Sequence, residues 1–301
     1  MRPRGSLRLV FVIAAFAGSG WVGLATPPLD RPDVASLVAR IGGRVAAYYS
    51  RAQQLMCVER STVVPIDSDW SVRGFSRIVE SELRVELEAA DGDGRTEARV
   101  TREIRRINGR EPRERDRTDR SGCTDPTPVS PEPLAFLLPG QRDDYRFTAV
   151  HEGHERGRAA LVIDFSSALK KSDPVLIEDE HGHPDCFDWK GPIAIAGRLW
   201  IDATTYDVLR LDRHLAGPTD VHVPWGLERR YHFDHWLTLQ QDDLTLRYKE
   251  VSFSDPEEKV LLPESSEAIT VFRAGLQSVR RSEEFSDYRR FLTDSRIIKG
   301  R

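Results

Sequence analysis

The sequence predicts a mainly β protein with a single long helix near its N-terminus, an α+β chain in which a highly curved antiparallel sheet follows the helix. Two observations predict this. One segment carries apolar residues at helical spacing, and from Cys57 onward the apolar period changes to two and stays there. Helices do not alternate with the strands, which argues against an α/β fold.

The chain opens with an export signal. Arg2, Arg4 and Arg8 form a basic region, Leu9–Ala17 (LVFVIAAFA) is an apolar core, and Gly23-Leu24-Ala25 places small residues at a cleavage site. The alternative is an uncleaved anchor, but Gly18, Ser19, Gly20 and Gly23 interrupt a stretch already short of the roughly 20 residues a span needs. The expected organisation is a signal peptide over 1–25 and a single domain over 26–301, periplasmic or secreted, with no later transmembrane span. Losing three Arg with the signal takes the net charge from −4 to −7, which argues against nucleic acid as a partner.

Val34, Leu37, Val38, Ile41, Val45, Tyr48, Ala52 and Leu55 mark the helix, with Asp30 or Asp33 available as its cap. Gly42-Gly43 in its middle costs about 1 kcal/mol each relative to Ala and predicts a kink or a close backbone approach. Strands are expected over Ile78–Glu88, Ala98–Ile107, Tyr145–Val150, Ala159–Phe165, Ile193–Asp202, Val208–His214, Glu228–Leu237, Leu244–Ser254 and Ala268–Phe272. The connectors between them are Asp91–Gly94, the HEGHERGR segment, Ala203–Tyr206, Gln240–Asp243 and Asp255–Glu258. A short second helix is expected at Glu132–Leu138, stopped by Pro139-Gly140. The C-terminal extension Glu283–Ile298 spaces Phe285, Tyr288, Phe291 and Leu292 as a helix or turn would. The run Arg102–Arg120 mixes Arg with acids and reads as a solvated hairpin arm.

Of the three cysteines, Cys123 and Cys186 lie in Pro- and Asp-rich loops and are the candidates for a disulfide in an oxidising compartment; Cys57 reads as a buried thiol. Catalytic signatures are absent: no Gly-x-Ser-x-Gly, no Ser-x-x-Lys, no phosphate-cradling loop and no Cys-x-x-Cys. HEGHE (His151–Glu155) has its histidines three apart at a hairpin tip, not four apart on a helix as a zinc protease requires. His181, His183 and Cys186 form a weaker metal alternative, set against a solvated polar loop. No cofactor is called for.

Gly197–Leu211 (GRLWIDATTYDVLRL) resembles the strand–turn–strand signature of the periplasmic outer-membrane lipoprotein-sorting and carrier superfamily (LolA/LolB-like) and of related sigma-factor-regulator sensors. Leu244–Pro263 (LTLRYKEVSFSDPEEKVLLP) is similar to a later hairpin of the same proteins. The resemblance implies a curved antiparallel sheet forming an unclosed half-barrel, helices over its concave face, and acyl-chain binding in an apolar groove. Trp200, Leu209, Leu211, Trp225, Phe233, Trp236, Leu246, Tyr248 and Phe253 are the candidates to line such a groove; the same residues would equally form a packed core. The leading expectation is an exported non-enzymatic protein binding a lipid, an acyl chain or a lipoprotein. The alternatives are an envelope sensor or scaffold for protein partners, and a hydrolase with dispersed carboxylates and histidines.

Overall fold

The computed structural model describes residues 33–52, 55–67, 69–89, 96–113, 133–168, 173–178, 187–254, 256–273, 275–291 and 297–299. The signal segment, the Asp91–Gly94 turn, Cys123, His181, His183 and Cys186 lie outside them. Helix α1 spans Val34–Ala52. Asp33 starts it by accepting the Ser36 amide at 3.3 Å, meeting one of the donors that a first turn leaves orphaned.

Fourteen strands follow: β1 (Leu55–Ile66), β2 (Arg77–Ala89), β3 (Thr96–Ile107), β4 (Tyr145–Glu155), β5 (Arg158–Ser167), β6 (Val175–Glu178), β7 (Phe187–Lys190), β8 (Ile195–Asp202), β9 (Val208–Leu215), β10 (Thr219–His222), β11 (Trp236–Ser254), β12 (Glu257–Phe272), β13 (Ser278–Phe291) and β14 (Ile297–Lys299). The main order is β3-β2-β1-β13-β12-β11-β9-β8-β5-β4, so β3 and β4 are the two edges and the sheet does not close. Among the described residues the register is antiparallel except for a single parallel contact between His222 and Val175. A second helix, α2 (Trp225–Tyr231), links β10 to β11.

Local chemistry explains the turns. Arg156 and Gly157, both at positive φ (48° and 81°), make the two-residue turn between β4 and β5. Asp202 organises the next connector. One carboxylate oxygen accepts the Thr204 and Thr205 amides at 2.9 and 2.8 Å, and the other accepts two nitrogens of Arg158. Burial works against ionisation there, but the two amides and Arg158 outweigh it and hold Asp202 below the usual carboxylate range. The Trp-Ile-Asp motif is thus a turn builder.

Several expectations are corrected. Most of Glu228–Leu237 is not strand: α2 covers its start after Pro224, His232 leaves the helix in the left-handed region at φ 58°, and β11 begins only at Trp236. Gln240–Asp243 is not a connector but the interior of β11, marked by a bulge between Leu239 and Gln241. The C-terminal extension begins inside β13, so Phe285 and Tyr288 sit on a strand rather than a helix or turn. The second short helix shrinks to one 3₁₀ turn, Ala135–Leu137.

Three apolar clusters hold the sheet. The largest packs Leu37, Ile41 and Val45 of α1, with Leu134, Phe136 and Leu137, onto β5, β8, β9 and β11. A second joins β1, β2, β11, β12 and β13, and a third joins β6, β9, β10, β11 and β12. On its polar flank α1 is tied down by Arg44, which makes a two-point pair with Asp207 at 2.7 and 2.9 Å, and by Arg40 over the Tyr206 ring.

The two central glycines differ. A Cβ on Gly42 would lie 2.5 Å from the Leu137 carbonyl oxygen, whereas one on Gly43 would meet nothing within 4 Å. Gly43→Ala is therefore expected to stabilise the protein by up to about 1 kcal/mol. Gly42→Ala forces helix and 3₁₀ turn apart and is expected to cost about 1–3 kcal/mol. Urea unfolding of the two variants checks both signs.

Candidate functional site

One row of side chains crosses the concave face, and its chemistry changes partway. Pairing places Ile163, Leu199, Leu211, Leu246, Ser266, Glu283, Ser61, Val79 and Ile107 opposite one another on successive strands. From Ile163 to Leu246 the row is aliphatic, at most 3% exposed, and covered by α1. At β12, β13 and β1 it turns polar while staying buried: Ser266 is 2% exposed, and Glu283 and Ser61 are each 1%.

The neighbouring row supplies Glu59 and Ser81, directly opposed on β1 and β2 and also buried. Arg102 on β3 reaches Glu59 with two nitrogens, at 2.5 and 2.9 Å. That fork-to-carboxylate geometry is what a buried ion pair needs to offset its lost hydration. Glu283 has no such partner. Its nearest help is the Ser266 hydroxyl, a weak influence toward the charged form, and the Ser61 hydroxyl across from it is unsatisfied. Burial, reinforced by the charge of Glu59 and opposed by Arg281 and Arg102, raises the Glu283 pKa to about 7. Nearby, Cys57 is a free, buried thiol pushed up to about 12, chiefly by burial, and hence unreactive.

The structure does not gather the nine groove-lining candidates on one surface. Leu211, Leu246 and Tyr248 pack together beneath α1, and Leu209 is buried on β9. Phe253 belongs to the second cluster, with the Arg290 guanidinium 4.5 Å over its ring. Phe233 packs against the third cluster, 5.1 Å from Phe187. Trp200 points away from its neighbours Leu199 and Ile201 and stacks under Arg210 at 4.4 Å. Trp225 and Trp236 are 66% and 42% exposed. Arg229 lies 4.7 Å over the Trp225 ring, while Trp236 makes edge contacts with His222 and His235, whose Nδ1 is 2.6 Å from Glu228.

Among the described residues, one cavity between α1 and the sheet, lined by Val45, Tyr48, Leu134, Val208 and Tyr248, measures about 40 Å³. Ligand pockets for small molecules run to about 300–1,000 Å³. Two larger depressions are open to the outside. One, of about 520 Å³, lies between the first turn of α1 and Tyr145 and Phe147 of β4; the other, of about 360 Å³, is lined by Trp70, Asp243, Ile269 and Arg280. No cluster of three or more His, Cys, Asp or Glu able to hold a metal occurs among the described residues, and no helix among them is long and apolar enough to cross a membrane.

The chain is similar in layout to three solved structures. An outer membrane lipoprotein-sorting protein domain from Vibrio parahaemolyticus is 11% identical, with 85% of this chain and 94% of that one covered and a TM-score of 0.30. MucB in complex with MucA(peri) is 9% identical, covering 84% and 94%, with a TM-score of 0.22. The Pseudomonas aeruginosa MucA/MucB complex is 12% identical, covering 83% and 100%, at 0.18. No family model and no curated protein matches the chain. At such identities and TM-scores, the half-barrel assignment rests on the observed strand order.

Glu283 makes the polar strip testable. Its folded pKa lies above the ordinary 4.5, so the native state holds the proton more tightly than the unfolded chain. Stability from this group is therefore complete below about pH 4.5, declines as pH rises toward 7, and levels off above. Relative to wild type, Glu283→Gln is expected to match it at pH 4 and to be more stable by up to about 3 kcal/mol at pH 8. Chemical denaturation across that range checks it; parallel pH profiles would exclude a buried, proton-binding Glu283.

Proposed function

We propose that the protein is an exported, non-enzymatic binding protein of the cell envelope whose partner is a polypeptide held at its surface. One observation carries this reading: the apolar part of the concave face is already filled. Side chains of α1 and of the Ala135–Leu137 turn pack onto it, and the cavity beside Val45, Tyr48 and Tyr248, about 40 Å³, falls well short of a ligand pocket. Two of the exposed aromatic side chains stand together on the outside. Trp225 opens α2, which also carries Arg229, Arg230 and Tyr231, and Trp236 opens β11 just after it, a composition typical of the residues that dominate protein–protein binding energy. The export signal in the sequence supports the compartment, and MucB, a structure of similar layout, is described in complex with MucA(peri).

A second reading, an acyl chain or lipid in the groove, has one observation in its favour. The open depression at the start of α1 joins apolar Val34, Val38, Tyr145 and Phe147, and a chain entering there would lie under the helix if the helix lifted.

The test compares both ligands on one protein. Purified protein is used to capture envelope proteins, with Trp225→Ala and Trp236→Ala variants in parallel, and is titrated with fluorescent fatty acids. The expected outcome is a captured protein lost by at least tenfold in the Trp variants, together with no saturable fatty-acid binding. Capture indifferent to both tryptophans, or saturable fatty-acid binding, would overturn the reading.

A further inference from the structure

The connection between β1 and β2 departs from the rest of the surface. It carries Trp70 at 50%, Val72 at 62% and Phe75 at 96% exposure, three of the five large hydrophobic side chains left exposed among the described residues. The segment is built rather than slack. The Asp67 amide donates to the Ser71 carbonyl at 2.9 Å, the Trp70 amide to the Asp67 carbonyl at 2.9 Å, and the Arg73 amide to the Pro65 carbonyl at 2.8 Å. Asp69 accepts both the amide and the hydroxyl of Ser71. Trp70 is held at φ 71°, a region that costs energy for an aromatic residue. Its ring borders the 360 Å³ depression with Ile269 and Arg280, leaving Val72 and Phe75 to project.

The surroundings of this tip are basic in an otherwise acidic chain. The Asn108 side chain accepts the Ile78 amide at 2.8 Å, which brings the turn after β3, with Arg110 and Arg113, beside the start of β2. Gln277 donates to the Ile66 carbonyl at 2.9 Å and brings the β12–β13 connection, with Arg273, to the end of β1. With Arg73, Arg77, Arg280 and Arg281 these make seven guanidinium groups, against the five carboxylates of Asp67, Asp69, Glu111, Asp243 and Glu267. Asp67 is itself paired with Arg73 at 3.5 Å.

From this arrangement we infer that the Trp70–Phe75 tip docks the protein on a bilayer surface containing anionic lipid. Aromatic and aliphatic side chains ringed by arginine are the combination that lodges in the headgroup region, with the cations lowering the energy against acidic headgroups. Shape decides between a bilayer and a protein. A side chain 96% exposed sits in no concavity of its own, and a fluid interface accepts a projecting side chain that a protein could receive only with a matching pocket. Val72 and Phe75 lie on the β1–β2 connection, and their variants leave Trp225 and Trp236 unchanged, so failure of this inference and failure of the polypeptide reading are distinguishable.

Co-sedimentation with vesicles of phosphatidylcholine, with and without phosphatidylglycerol, tests it. The wild-type protein is expected to partition roughly tenfold or more better onto the anionic vesicles, and to be released by salt. The double variant Val72→Asp, Phe75→Asp is expected to lose that binding while keeping its unfolding midpoint, since neither side chain is packed. In the Phe75→Trp variant, added emission should be quenched by brominated lipid. Absent vesicle binding, binding equal in wild type and double variant, or an envelope protein captured through this tip by a protein indifferent to vesicles would each overturn the inference.

Discussion

The packing of α1 onto the concave face is the constraint on which the rest of this architecture depends. Leu37, Ile41 and Val45 close over Ile163, Leu199, Ile201 and Leu211, all at most 2% exposed, and the Gly42 backbone approaches the Leu137 carbonyl too closely for any larger residue. An open curved sheet has two faces to satisfy and two free edges, and a helix laid across one face removes the largest apolar surface from water. The part of the concave face beneath α1 is thereby filled by the protein's own side chains.

Beyond the reach of that apolar packing the concave face is lined differently. Ser61, Ser81, Ser266, Glu59 and Glu283 are buried without being hydrophobic, and only Glu59 has the fork of Arg102 to answer its charge. Buried carboxylates of this kind lower stability unless paired, and they fix register, because a one-residue slip would carry Glu59 to the opposite face and out of reach of Arg102. The polar strip thus specifies how β1, β2 and β3 align, where hydrophobic alternation alone would leave them weakly specified.

That strip also explains what the sequence revealed and what it concealed. Helix α1 and strands such as β5, β8 and β9 announced themselves because their buried positions are Leu, Ile and Val at the right period. Strand β13 (SVRRSEEFSDYRRF) did not, since its inward positions include Arg281 and Glu283 and no alternation of hydrophobicity remains to be read. Helix α2 was hidden by the chance alternation of Glu228–Leu237. For the site, residue type showed which side chains are large and apolar but not which face they take: Trp200 and Leu199 are adjacent and diverge. Phe75 and Trp70 passed unremarked because a lone aromatic in a loop looks the same whether it packs or projects.

The long strand β11 takes part in all three apolar clusters: Leu237 and Leu239 in the third, Leu246 and Tyr248 in the first, Val251 and Phe253 in the second. No cluster can come apart without dislodging a segment of the same continuous strand. Local opening in one region is thereby transmitted along 19 residues of backbone to the others. Through that shared strand the three clusters are coupled, so that opening of one bears on the packing of the others despite the sheet's open edges.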